Sequence, residues 1–173
     1  MIWPNEAGET TCGPGSTLVA TRNVRDWLPG ALERLGVRTL LDAPCGDRNW
    51  MRHVELPCAY VGADNELAHI ERARIDDADV RALDICADEL PRCDAVLARD
   101  FFQHLSRASE ARALENINRT GATYIITTCH GQSSAGDIAD GGFRYIDRRE
   151  QWGEPIDQCD DGKHGRILGV WAL

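Results

Sequence analysis

The chain has a single lysine, Lys163, and carries the rest of its positive charge on arginine, which reads as genome bias and excludes little. It also lacks a basic excess: 28 acidic residues against 19 basic ones leave a formal net charge of −9. A general grip on nucleic acid needs a basic face, so duplex nucleic acid is not an expected partner. Arg144, Arg148 and Arg149 still make a local basic lip. No apolar run reaches the roughly 18 residues of a membrane span, so no membrane role is expected. The opening MIWPNEAGET has no basic segment followed by an apolar stretch, so the expectation is no signal peptide and a cytoplasmic location. The seven cysteines include no CxxC pair. That pattern fits neither a disulfide framework nor a zinc knuckle, and no metal is expected. No internal repeat or low-complexity linker divides the sequence.

The 173 residues, 43% of them apolar, suit one domain spanning 1–173. Its segments alternate. STLVATRNVRDWL reads as a helix capped by Ser16, and GALERLG as a second short helix after Pro29, together a helical cap over 1–36. VRTLLDA reads as a strand, NWMRHVEL as a helix ending before Pro57, AYVGAD as a strand, and NELAHIERAR as a helix capped by Asn65. DVRALDI and DAVLARD follow as strands. SRASEARALENINRTG is a helix from Ser106 to Gly121, and ATYIITTC a fifth strand. PIDQC, the turn DDGKHG and RILGVWAL read as an antiparallel hairpin. The strands are continuously apolar rather than alternating, as in a parallel sheet covered on both faces. The expected fold is therefore α/β and doubly wound: five parallel strands plus the hairpin, seven in all. An irregular stretch, 131–153, separates the fifth strand from the hairpin. Loops of that length in compact domains are usually functional or mobile.

Ligands of open parallel sheets bind beyond the carboxyl ends of the strands. Here those ends are Asp42, with a turn running to Asp47, then Asp64, Asp84, Arg99-Asp100 and Cys129-His130. One aspartate after a strand is an ordinary turn residue. Carboxylates at four successive strand ends ask for a ligand. A dinucleotide needs G-x-G-x-x-G to rest its pyrophosphate on bare backbone. DAPCGDR offers one glycine and two aspartates, which suits a cationic ligand without phosphate.

The ordered set LLDAPCGDRNW, YVGAD, ALDI and DAVLARDFFQHLS resembles the successive motifs of class I S-adenosylmethionine-dependent methyltransferases, from about Thr39 to Thr128, and the tail hairpin is similar too. Asp42 and Gly46 match the first motif; Pro44 replaces its first glycine and Arg48 stands near its last. D-x-P-C-G-D and TTCHG particularly resemble small stand-alone phage and bacterial members. The resemblance implies S-adenosylmethionine as cofactor. It implies Asp42 at the methionine ammonium, with Ala43, Pro44 and Gly46 letting backbone approach. Asp64, with Asn65, would take the ribose hydroxyls, since a carboxylate accepts two donors at once. Asp84 would take the adenine amino group, with Ile85 on the ring. Arg99 and Asp100 would line the methionine end. Local alternatives stay open: Asp64 and Asn65 as a helix cap, Asp88 competing with Asp84, and Gly13-Pro14-Gly15-Ser16 as a plain turn or a cover over the methionine carboxylate.

For methyl transfer to O or N, the candidate catalytic residues are Asp100, His104 and His130. Packing near the cofactor is the alternative for His104, and an exposed loop position for His130. His53, His69 and His164 carry no signal. The 131–153 stretch is the expected acceptor wall, with Gly136, Gly141 and Gly142 allowing movement and Phe143, Tyr145 and Trp152 offering ring faces. Arg144 either pairs an acidic acceptor or makes a surface salt bridge. Trp50 either closes the methionine end or, as favoured, packs its helix on the core. The expected acceptor is a small molecule or nucleotide-like group. Cofactor cleavage or cyclisation without an acceptor, and a non-catalytic binding module, remain the other classes. A homodimer through the terminal GVWAL edge is a further possibility, with completion of the sheet as its alternative.

Overall fold

A computed structural model describes residues 8–162 and 165–173. Its seven strands are β1 (Thr39–Asp42), β2 (Ala59–Asp64), β3 (Val80–Ala82), β4 (Ala95–Ala98), β5 (Tyr124–Cys129), β6 (Asp157–Asp160) and β7 (Ile167–Ala172). They form one sheet in the order β3-β2-β1-β4-β5-β7-β6. Neighbours among β1–β5 pair in parallel. β7 runs antiparallel to both β5 and β6, so β6 points the same way as the first five. The chain order reverses between β1 and β4, which opens a crevice at their carboxyl ends. The expected α/β sheet with a C-terminal hairpin is the sheet observed. GVWAL enters between β5 and β6 and completes the sheet rather than presenting an edge.

The strand residues divide by parity. Leu40, Ala95, Leu97, Ile126, Leu168 and Val170 pack on one face with Val24, Leu28 and Leu32 of α1 (Arg22–Arg34). Leu41, Val96, Ala98, Ile125 and Trp171 face the other way, onto Ala113 and Ile117 of α3 (Arg107–Arg119). Covered on both sides, the strands have no solvent face to mark with polar residues, which explains their apolar runs. α2 (Leu67–Ala73) packs Ile70 and Ala73 on Val80 and Cys45. Ser106 caps α3 by accepting the Ser109 N–H, as its spacing predicts. Among the described residues no helix is long and apolar enough to cross a membrane.

Three local expectations are corrected. Residues 14–34 do not make two helices. Pro14–Ser16 is a single 3₁₀ turn, and one helix, α1, begins at Arg22 and runs through Pro29. The segment before it is held elsewhere: Leu18 N–H reaches Glu9 Oε1 at 2.7 Å, and the Ser16 carbonyl accepts from Asn49 at 3.0 Å. NWMRHVEL is reduced to a 3₁₀ turn at Met51–His53, and the Asn49 side chain donates to Glu9 and to the Ser16 carbonyl. Glu66, not Asn65, stands at the N-cap position of α2. Residues 1–7 of the expected helical cap, and Lys163 and His164 of the expected turn, lie outside the described residues.

The 131–153 stretch contains one short helix, α4 (Arg149–Trp152), and is anchored to the start of α3. Asp140 accepts the Ser106 N–H at 2.7 Å and the Ser109 hydroxyl at 2.6 Å. Gly141 N–H donates to the His104 carbonyl at 2.8 Å, and Arg144 N–H to the Gln103 carbonyl at 2.9 Å. Beneath it, Glu110 holds ion pairs with both Arg144 and Arg148. Arg148 is fully buried, its guanidinium 4.6 Å from the ring centres of Phe102 and Trp152. Arg144 is thus a buried anchor of the loop, not an acceptor-facing charge.

Removing one member of a buried ion cluster strands the others in low dielectric. Glu110→Ala is expected to lose about 3–5 kcal/mol in urea unfolding. Arg119→Ala, which breaks the exposed pair with Glu115, is expected to lose less than about 1 kcal/mol.

Candidate functional site

A cleft of about 540 Å³ opens over the carboxyl ends of β1, β2 and β4. It brings together Asp42, Pro44, Gly46, Trp50, Asp64, Asn65, Arg99, Asp100 and His104 from the sequence-derived set. Ala43, Asp84, Ile85, His130, Arg144 and Tyr145 are not among its lining residues. Ala43 is fully buried, with its N–H on the Leu97 carbonyl. Asp84 closes its own turn: Oδ1 accepts the Cys86 N–H at 2.8 Å, and its N–H donates to Asp88 at 2.8 Å. Ile85 is a core residue whose carbonyl accepts from Asn116. The expected adenine contacts are therefore not lining the cleft.

Two aspartates form the polar floor. Asp42, at the end of β1, is 3% exposed and accepts the Tyr60 hydroxyl at 2.9 Å. Tyr60 reaches it from β2 because Gly62 leaves space: a Cβ there would lie 3.0 Å from the phenol oxygen. Burial pushes the Asp42 carboxyl up from its usual 3.8 to about 7, against the opposing pull of Tyr60, Arg48 and Arg99. Asp64, at the end of β2, spans the cleft. Its Oδ2 accepts the Gly46 N–H at 2.9 Å, its Oδ1 the Glu66 N–H at 2.8 Å, and His69 Nδ1 stands 3.4 Å from Oδ1. Gly46 has φ +56°, and a Cβ there would strike Cys12 Sγ at 2.6 Å. Only glycine fits both the turn and that approach.

His69, expected to be an unremarkable surface residue, is 6% exposed and lines the cleft. Burial opposes its charge, but the hydrogen bond with Asp64 and the nearby Cys12 prevail and push its pKa up to about 10. Asp47 is 2% exposed and binds Thr10 Oγ1 at 2.8 and 2.9 Å and Thr11 N–H at 2.7 Å. Those bonds outweigh burial and hold its carboxyl below the usual range. They also lay the strap 10–16 across the cleft, with Cys12, Gly13, Pro14, Gly15 and Ser16 on its wall. Arg99 secures the strap's far end by donating to the Gly15 carbonyl at 3.0 Å and to Asp161 at 2.8 Å.

At the other end, Asp100 has φ +53° and accepts from Gln103 and Arg166, each at 2.7 Å. Burial raises its pKa, but Arg99 and Arg166 prevail and keep the carboxyl below the usual range. This makes it an orienting anion and a poor proton acceptor. His104 Nδ1 lies 2.8 Å from the Gly142 carbonyl, which can only accept. Nδ1 therefore carries the proton, and in the neutral ring the lone pair is on Nε2. His130 sits behind this wall, 7% exposed, and burial lowers its pKa. Its ring lies 5.9 Å from Phe143 and 5.3 Å from Tyr145, and Phe143 lines the cleft while half-exposed. Sequence reasoning missed Cys12, Asp47, Tyr60, His69, Gln103 and Arg166. Asp47, Tyr60 and Gln103 lie within the motifs quoted above, and Cys12 directly precedes Gly13, but none was singled out.

No family model and no curated protein sequence matches the chain. Solved structures do. 1,6-Didemethyltoxoflavin-N1-methyltransferase of Burkholderia thailandensis, with bound 1,6-didemethyltoxoflavin and S-adenosylhomocysteine, is 16% identical with a TM-score of 0.63, over 88% of this chain and 77% of that one. Magnesium protoporphyrin IX methyltransferase of Synechocystis PCC 6803, with bound S-adenosylmethionine, is 12% identical with a TM-score of 0.62, over 88% and 80%. The methyltransferase domain of a bacterial Hen1 is 13% identical with a TM-score of 0.64, over 89% and 100%. The chain shares the fold of these methyltransferases.

The Asp42 environment sets a pH signature. A carboxyl whose pKa is raised on folding costs nothing below about pH 4 and disfavours the folded state increasingly through pH 7. Asp42→Asn, which still accepts from Tyr60, is expected to be more stable than the parent at pH 8, by up to about 4 kcal/mol. The gain should vanish near pH 4, as read by thermal unfolding at both pH values.

Proposed function

We propose that the chain is an S-adenosylmethionine-dependent methyltransferase acting on O or N of a small planar acceptor. The observation that carries this reading is the pair of carboxylates, Asp42 and Asp64, in one cleft. Such a site fits a ligand with a cation at one end and a vicinal diol at the other. Asp42 receives the ammonium group, whose arrival favours the ionised carboxyl. Asp64 is already oriented by the Gly46 and Glu66 N–H groups and retains lone pairs for ribose hydroxyls. The strap 13–16 covers the methionine end, with Trp50 and Arg99 beneath it.

The cofactor supplies a methyl group on a sulfonium, and the protein supplies alignment and a proton acceptor. Phe143 and His104, ring centres 5.8 Å apart, make the acceptor wall. A half-exposed aromatic ring within a cleft favours a flat acceptor. The Burkholderia neighbour, solved with 1,6-didemethyltoxoflavin, supports a small-molecule acceptor. His104, which shares the cleft wall with Phe143, is the base we assign. His130 fixes the Phe143 and Tyr145 rings from behind, and Asp100 sets the Gln103 and Arg166 side chains.

Calorimetric titration tests the reading. S-adenosylmethionine and S-adenosylhomocysteine are expected to bind in the micromolar range and NAD not at all, with Asp64→Ala weakening both by about 100-fold or more. Failure to bind either sulfur ligand would sink the proposal. Incubation with S-adenosylmethionine alone should leave it intact; methylthioadenosine without S-adenosylhomocysteine would instead identify a lyase or cyclase. With an acceptor in hand, His104→Gln is expected to lower kcat about 100-fold or more with KM little changed.

A further inference from the structure

Seven free thiols occupy this chain, three of them buried and four, Cys12 among them, partly buried. Burial pushes up the thiols of Cys45, Cys58 and Cys93, and nearby carboxylates reinforce it. The same causes bring Cys86 to about 11 and Cys159 to about 12, and raise Cys129. Cys12 is placed differently. It is half-buried on the wall of the cleft. Its sulfur accepts the Asp47 N–H at 3.2 Å. It bears on Gly46, where a Cβ would meet the sulfur at 2.6 Å. His69 lines the same cleft, with Asp64 3.4 Å from its Nδ1. His69 is more than nine-tenths buried, and its Nε2 has no hydrogen-bond partner among the described residues. Cys12 is a second group, with Asp64, that favours the cationic ring. A backbone donor and a nearby histidine are features of reactive cysteine sites.

We propose that Cys12 is a selectively reactive thiol, and that mixed-disulfide formation with a low-molecular-weight disulfide at this position reversibly closes the cleft. The Cys12 thiolate attacks one sulfur of RS–SR. A new S–S bond forms, the original one breaks, and RS⁻ leaves and takes up the proton that Cys12 released. Cys12 is oxidised, one RS group is reduced, and no other oxidant is needed. The attached group then occupies the space above Gly46 and Asp64, and a thiol reductant removes it. The closing of the cleft to cofactor rests on the reading above; the reactivity of the thiol does not.

Dithiodipyridine, a neutral disulfide, is the probe, followed by thiopyridone absorbance and peptide mapping. The native protein is expected to release one equivalent per chain in a phase at least tenfold faster than any other. Mapping should place the adduct on Cys12, and Cys12→Ser should lack that phase. His69→Gln should slow it about tenfold, and Asp64→Asn, which weakens the same ring, should slow it too. A fast phase that survives Cys12→Ser, or an unchanged rate in a folded His69→Gln or Asp64→Asn protein, would overturn the assignment. Calorimetry with S-adenosylhomocysteine, before treatment, after it and after dithiothreitol, reads the consequence. Binding should weaken at least 100-fold and then recover; treated Cys12→Ser should bind as it did untreated. Unchanged affinity in the Cys12 adduct would overturn the closing of the cleft. If untreated protein binds no S-adenosylhomocysteine, the cofactor reading fails with the gating, and the thiol kinetics alone decide Cys12.

Discussion

Buried carboxylates at the carboxyl edge of the sheet are the constraint to which the rest of the site answers. Taking an aspartate out of water is expensive unless donors meet it. The three strongest cases are met in three ways. Asp47 is surrounded by threonine and backbone donors and stays anionic. Asp64 takes two backbone N–H groups and a histidine. Asp42 receives one phenol and is left near neutrality. The first is tied into the strap, the second is oriented by its donors, and the third, with a single hydroxyl donor, has its pKa raised by burial. Three aspartates a few residues apart in space thus have different chemistries because their donors differ.

The sheet was legible because its cause is local. Continuous apolar runs, helical spacing between them and the Ser106 cap are all written in consecutive residues. Asp42, Gly46 and Asp64 were legible for a related reason, since a strand end is a place that sequence can locate. The helices of the first half were misjudged because distant residues decide them. Glu9 and Asn49 claim the backbone of residues 16–18 that a helix would otherwise use. Likewise Asp84 looked like its counterparts in β1 and β2, but Asp88 and Cys86 capture it in a turn.

Arg144 and His69 were both misread as exposed. Arg144 lies in a polar, glycine-rich loop that suggests exposure, yet Glu110, 34 positions earlier, draws it inside. His69 lies on a short helix whose pattern suggests a surface position, yet the turn after β1 folds back over it. Glycines in the same loop suggested movement. Instead, Asp137, Asp140, Arg144 and Arg148 fasten it to α3.

Arg99 joins the carbonyl of Gly15 to the carboxylate of Asp161, contacts separated from it by 84 and 62 positions. Closing contacts so far apart in sequence costs chain entropy. Asp47, Asn49 and Arg99 hold the strap from within the first five strands, and Asp161 orients Arg99 only once the C-terminal hairpin is in place. Recognition of a ligand is then a property of the finished molecule, and a bound ligand stabilises only that final state against all earlier ones.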